Sequence, residues 1–215
     1  MIDAAYRDGV RTIIATPHVY PGRRKFDHEA YKQRLNELNE YCGVCNYDLK
    51  ILPGAEVYYT DAALRLLVNG EIPTLNDTRF VLLEASTRVR SEDFVRAIRD
   101  VSNAGFVPVI AHIERYPNLW FKAKLIRQLR SGFNFRIQVD AEVFLDRIPF
   151  FEKRFLKALI KYDLIDYIAS DAHDTAGRRV NMNRVYKVLC SKHGKKYARM
   201  LTGANQEELL EQEDD

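Results

Sequence analysis

Six side chains able to bind a divalent cation stand where short apolar runs give way to loops. They are His18 after Ile13-Ile14-Ala15-Thr16-Pro17, Glu56 after Leu52-Pro53-Gly54-Ala55, Glu84 after Phe80-Val81-Leu82-Leu83, His112 after Val109-Ile110-Ala111, and Asp171 and His173 after Tyr167-Ile168-Ala169-Ser170. A buried strand that ends on an unpaired polar group is costly, so the repetition of this figure implies a shared destination. In a parallel α/β barrel the C-terminal strand ends meet at one rim, where active sites of that architecture sit. Imidazole mixed with carboxylate suits Zn²⁺, Mn²⁺ or Fe²⁺ and is too rich in nitrogen for a dedicated calcium cage. Six such groups exceed what one tetrahedral ion uses, which points to a multinuclear site. Metals about 3.5–4 Å apart can clamp the attacking and leaving oxygens of a phosphoryl transfer. Arg115 follows His112 by three residues and Arg178 follows Asp171 by seven, and a guanidinium fork matches phosphate geometry. Singly, each residue has a plainer reading: a histidine bonding its loop, a glutamate capping a helix, an arginine in solvent. Repetition at five strand ends weighs against all of these at once.

The elements that would position these groups alternate. A helix over 1–8 stops at Gly9, and Val10–Ala15 reads as a β-branched strand. Asp27 caps a helix over 28–41 with Tyr31, Leu35, Leu38 and Tyr41 on one face. Leu49–Leu52 is a strand, and Thr60 caps a short helix carrying Leu64, Leu67 and Val68. Strands follow at Phe80–Leu83, Val107–Ala111, Phe133–Val139 and Ile165–Ala169. Helices follow at 91–104, 119–129, 150–162, 184–193 and 195–202, and Asp140 reads as a helix cap. Six strands alternating with helices predict right-handed βαβ units and a parallel sheet. A closed barrel has about eight strands, and this chain opens on a helix.

The 215 residues are 47% hydrophobic, enough for one sizeable core, and 33 basic residues interleave with 30 acidic ones for a net charge of +3. That balance argues neither for nucleic acid nor for insertion into a membrane. No apolar run approaches the roughly 20 residues that span a bilayer, and Met1–Tyr6 lacks the regions of a secretion signal, so the expected location is the cytoplasm. Three cysteines make no disulfide framework, and Cys42-Gly43-Val44-Cys45 has no second pair to complete a zinc site. Gly-x-Ser-x-Gly and Walker motifs are absent, as is a cysteine with an arginine six residues on, so phosphoester cleavage would have to be metal-driven.

Taken together, Ile13-Ile14-Ala15-Thr16-Pro17-His18, Pro53-Gly54-Ala55-Glu56-Val57, Ile110-Ala111-His112 with Glu114-Arg115-Tyr116, and Ser170-Asp171-Ala172-His173 resemble the PHP-domain phosphoesterases. More narrowly, they resemble the bacterial manganese-dependent protein-tyrosine phosphatases of the CpsB/CapC capsule and exopolysaccharide family. The resemblance runs in order from Met1 to about Thr202. It implies a distorted (β/α)7 barrel over 1–203, followed by an acidic tail at 204–215. It implies up to three ions, Mn²⁺ with Zn²⁺, Fe²⁺ or Co²⁺ as alternatives, with Glu56 as the bridging carboxylate. Glu56, Glu84 and His112 would hold one ion, His18 and His173 would belong to a second, and Asp171 with Glu56 to a third. Arg115 and Arg178 fall at the phosphate-binding arginines, and a metal-bound hydroxide would attack phosphorus. The implied partner is the tyrosine-rich tail of a polysaccharide-export tyrosine kinase. The family begins with a strand carrying a His-x-His pair, upstream of the helix on which this sequence opens. An N-terminally incomplete barrel with fewer ions and low activity is therefore expected. A small-molecule phosphatase, or an inactive remnant that still binds the kinase tail, are the rival readings.

Overall fold

The computed structural model describes residues 1–23, 25–146 and 148–211. Helix α1 (Ile2–Arg7) leads into β1 (Thr12–Ile14), which breaks at Pro17 and resumes as β2 (His18–Val19). After α2 (His28–Val44), β3 (Lys50–Leu52) breaks in the same way at Pro53-Gly54 and resumes as β4 (Glu56–Tyr58). Then come α3 (Asp61–Val68), β5 (Phe80–Glu84), α4 (Ser91–Asn103), β6 (Val107–Ile110), α5 (Ala123–Leu129), β7 (Arg136–Asp140), α6 (Phe150–Lys161), β8 (Tyr167–Ala169), α7 (Met182–His193) and α8 (Lys195–Thr202). The strands pair in the order β2-β4-β5-β6-β7-β8, all parallel, with β1 pairing β3 just ahead of β2 and β4. The expected strand positions are thus present, two of them kinked, and they form a curled half-barrel. Among the described residues β8 is not paired with β1 or β2.

Period-two alternation divides the strand side chains between two faces. Phe80, Leu82, Val107, Val109, Ala111 and Tyr167 line the concave interior. Val57, Val81 and Leu83 face outward onto Ala63, Leu67 and Val101 of α3 and α4. The largest cluster lies under α5 to α8 and includes Phe135, Ile137, Phe155, Leu159 and Leu189. Local chemistry sets the helix starts: Asp27 accepts from the Ala30 amide at 3.0 Å and Thr60 from the Ala63 amide at 3.1 Å. Some expectations need correcting. On the apolar face of α2, Leu38 and Tyr41 are exposed, Asp140 makes no side-chain cap bond, and α5 starts at Ala123 because a 3-10 turn takes Pro117–Leu119.

The segment expected as an acidic tail from 204 starts as a 3-10 turn, Ala204–Leu209, that docks on the barrel; residues 212–215 lie outside the described residues. Leu209 is buried in the concave interior, and Asn205 and Gln206 donate to the Asp166 and Ile168 carbonyls along β8. Glu208 pairs with Arg136 through two bonds of 2.7 and 2.8 Å and accepts from the Tyr167 hydroxyl. Burial pushes the Glu208 carboxyl up, but the Arg136 and Tyr167 hydrogen bonds outweigh it and hold it below the usual range. A carboxyl lowered in the folded state adds stability above its unfolded value of about 4.3, and that stability is lost as pH falls through the folded value. Glu208→Gln is therefore expected to cost about 1 kcal/mol at pH 7. In urea unfolding the gap to the parent should close at pH 3; an equal gap at both pH values would assign the loss to packing.

Candidate metal centre

Two backbone kinks deliver the first ligands. At Gly54 a side chain would force its neighbours to move, because an added Cβ would lie 2.6 Å from Ile14 Cγ2. The Tyr31 hydroxyl shares its one hydrogen between the Ala15 and Gly54 carbonyls, at 3.1 and 2.9 Å, and accepts from the Gly54 amide at 2.8 Å. That brace locks both kinks together, so the strands resume in register with His18 opposite Glu56. Both residues open the second strand segment, where the sequence pattern had placed them past a strand end. Glu84 is the last residue of β5. His112 and Asp171, just past β6 and β8, adopt left-handed backbone with φ of 32° and 46°. Such conformations cost of order 1–3 kcal/mol and concentrate at functional sites.

The structure brings all six expected groups, and both arginines, to one rim. Nδ1 of His18 lies 2.8 Å from Glu56 Oε2 and 3.5 Å from Glu84 Oε2. Nε2 of His112 closes on Glu56 from the other side, at 2.9 Å from Oε1, and is 4.0 Å from Glu84 Oε1. The His18 and His173 rings, 5.7 Å apart, connect this cluster across the seam between β2 and β8. His173 Nδ1 is 3.7 Å from Asp171 Oδ1, and Arg178 reaches both His173 Nε2, at 3.3 Å, and Asp171 Oδ2. Arg115 Nη2 meets the same Asp171 oxygen at 2.8 Å. Two guanidinium groups thus converge on one anionic oxygen beside the histidine and glutamate cluster.

Whether these residues suit a cation can be judged from the donors. Donor atoms of His18, Glu56 and Glu84 lie within 4.8 Å of one another, a compact trio that differs from the Glu56, Glu84 and His112 grouping implied by the resemblance. Glu56 is only 4% exposed. Burial pushes its carboxyl up, but the hydrogen bond to His112 and the charges of His112, His18 and Arg115 leave it below the usual range, so it stays ionised. Glu84 Oε2 is buried without a hydrogen bond among the described residues. Two carboxylates beside two imidazoles, one oxygen unsatisfied, is an arrangement that a divalent cation completes. The donor set fits.

Several residues that support this rim were given no role in it from sequence. Asp140, buried at the end of β7, accepts from Arg115 on the side opposite Asp171. Glu114 is almost fully buried and accepts from the Asp140 amide at 3.3 Å. Burial and the Asp140 charge push the Glu114 carboxyl well above the usual carboxylate range, and burial raises Asp140 as well, with the Arg115 charge opposing it. The Tyr116 ring packs 5.9 Å from His112, and its hydroxyl accepts from the Ala85 amide at 3.0 Å, which fixes the end of β5 beside Glu84. Tyr20 stacks on His18 at 5.7 Å and meets Tyr58 at 5.4 Å, an aromatic wall along one side of the site.

Against known proteins, residues 1–211 match the family model described as capsular polysaccharide synthesis, CpsB/CapC. The chain is 32% identical to tyrosine-protein phosphatase CpsB of Streptococcus pneumoniae, over 98% of this chain and 88% of that protein. It is 31% identical to tyrosine-protein phosphatase YwqE of Bacillus subtilis, over 98% and 82%. Crystal structures of YwqE and CpsB, described as metal-dependent tyrosine phosphatases, match with a TM-score of 0.85 and 28% identity, covering 99% of this chain and 85% of that one.

Proposed function

This chain belongs to the CpsB/CapC family, and on that footing we propose that it is a metal-dependent protein-tyrosine phosphatase linked to capsule or exopolysaccharide synthesis. The observation that carries the reading is the convergence of Arg115 and Arg178 on one anionic oxygen next to His18, Glu56, Glu84 and His112. In our reading His18, Glu56, Glu84, His112, Asp171 and His173 hold divalent cations, with Mn²⁺ the proposed occupant. A cation there supplies Lewis-acid stabilisation of the phosphoryl oxygens and acidifies a water.

The chain's own groups do the rest. Arg115 and Arg178 exchange the Asp171 carboxylate for phosphoryl oxygens, which matches their fork geometry and balances charge as it builds on the equatorial oxygens. Asp140 keeps Arg115 aimed while Asp171, one of the groups that would hold a cation, gives up its bonds to the two arginines. Tyr20 and Tyr58 offer ring faces to the phenyl group of the ester, in an arrangement that aromatic pairs favour. This wall supports an aryl phosphate over a sugar or histidinol phosphate. The proposed substrate is the phosphotyrosine-bearing tail of a polysaccharide-export tyrosine kinase, in the cytoplasm. Among the described residues no helix is long and apolar enough to cross a membrane.

Phosphate release from a phosphotyrosyl peptide is the test. It is expected to rise more than about tenfold on adding Mn²⁺ to chelator-treated protein and to be lost again with chelator. Peptide binding without turnover at saturating Mn²⁺, Zn²⁺, Fe²⁺ and Co²⁺ would instead identify a binding remnant.

A further inference from the structure

Three phenylalanines on the same rim have no covering element among the described residues. Phe121, Phe150 and Phe151 are 64%, 73% and 50% exposed. They pack edge to face, Phe121 on Phe151 and Phe151 on Phe150, each pair 5.5 Å apart. Phe121 lies between β6 and α5, and Phe150 and Phe151 open α6 after β7. Both segments leave C-terminal strand ends, as do His112 and Asp140, so this apolar knob stands at the level of the metal centre. Helix α6 packs against the Ile113–Arg115 turn, which places the knob beside Arg115, the residue proposed to bind phosphate.

Cations surround the knob. On α6, residues 150, 153, 154 and 157 share the outward face at helical spacing, and Lys153, Arg154 and Lys157 are all exposed. Lys122 and Lys124 are exposed beside Phe121. None of these five cations makes an ion pair among the described residues. In a chain with a net charge of only +3, these five cations place unpaired positive charge around an exposed aromatic cluster.

We propose that this corner of the rim docks peripherally on an anionic phospholipid bilayer. The three rings enter the boundary between headgroups and acyl chains, and Lys122, Lys124, Lys153, Arg154 and Lys157 face the lipid phosphates. Exposed aromatic tips within a basic collar are the chemistry of interfacial binding, and each Lys or Arg near an anionic surface adds attraction that salt screens. Nucleic acid suits the patch less well, because rings set edge to face 5.5 Å apart do not offer the parallel platforms on which successive bases stack. A bound peptide would need a groove or a sheet edge, and this cluster protrudes. Docking here holds the mouth of the metal centre against the membrane with no spanning segment.

The test is co-sedimentation of the full chain with vesicles of roughly equal phosphatidylglycerol and phosphatidylcholine, and with phosphatidylcholine alone, in about 0.1 M salt. The parent is expected to pellet with the anionic vesicles only, and less as salt rises. The variant F121S/F150S/F151S, whose changes lie on the surface, is expected to bind at least about tenfold more weakly. Its melting temperature and its hydrolysis of a small aryl phosphate should be unchanged. K153E/K157E, with the aromatic cluster intact, is expected to lose binding to the anionic vesicles as well. Three results would overturn the proposal: no binding to the anionic vesicles, binding that survives loss of all three rings, or phenylalanine-dependent binding to poly(U) or to a phosphotyrosyl peptide without binding to vesicles.

Discussion

Replacing Glu56 with glutamine is expected to lower metal-dependent phosphotyrosine hydrolysis by at least about a hundredfold and to remove at least one bound ion. Outer groups that merely orient a ligand cost about 10–100-fold when lost, and Glu56 stands at the centre, between His18 at 2.8 Å and His112 at 2.9 Å. Glutamine keeps the size and one acceptor oxygen but carries no charge, while Glu84 stays in place at 3.5 Å from His18. The variant should therefore fold yet present one buried negative charge fewer to a cation. Metal content after dialysis, and the shift in melting temperature on adding Mn²⁺, read this directly, since an ion that binds only the folded state raises its stability. Unchanged metal stoichiometry together with unchanged turnover would move the centre away from Glu56.

That residue also shows how far the sequence could be read. The gathering of His18, Glu56, Glu84, His112, Asp171 and His173 was legible because each follows an apolar run and parallel strands deliver their ends to one rim. The local detail was not. His18 and Glu56 open strand segments after kinks, and the kinks depend on Tyr31 bonding across to Gly54 from a helix over 20 residues away in sequence, a contact that no periodicity encodes. The Ala204–Leu209 turn carries acidic and polar residues that composition reads as a solvated tail. Leu209 and the Glu208 pairing with Arg136 fix it to the barrel. The Phe121, Phe150 and Phe151 knob joins two segments that are adjacent only once β6 and β7 pair.

Asp140 was the most informative miss, and its replacement by alanine carries the second large expected effect. The residue ends β7 in register with Ala169 of β8, which sets it two residues along the chain from Asp171 across the strand pair. Its position before a helical turn suggested a cap, but its carboxylate is turned to Arg115 instead. Removing it leaves Arg115 with Asp171 as its carboxylate partner, and in the proposed mechanism Asp171 is the group that phosphate displaces. Arg115 should then be held in the wrong place for the ester. Misplacement of a positioning group by about 1 Å can cost about 10²-fold, so Asp140→Ala is expected to lower kcat/KM for a phosphotyrosyl peptide by about 10–100-fold. Inhibition by inorganic phosphate should weaken along with it. Asp140→Asn retains an acceptor oxygen for Arg115 and should recover part of both. A purely structural role predicts a different pattern, with a lower melting temperature and an unchanged phosphate inhibition constant well below it. Measuring that constant for the alanine and asparagine variants separates the two, because the Arg115 guanidinium is the group that hydrogen-bonds Asp140 from the phosphate side.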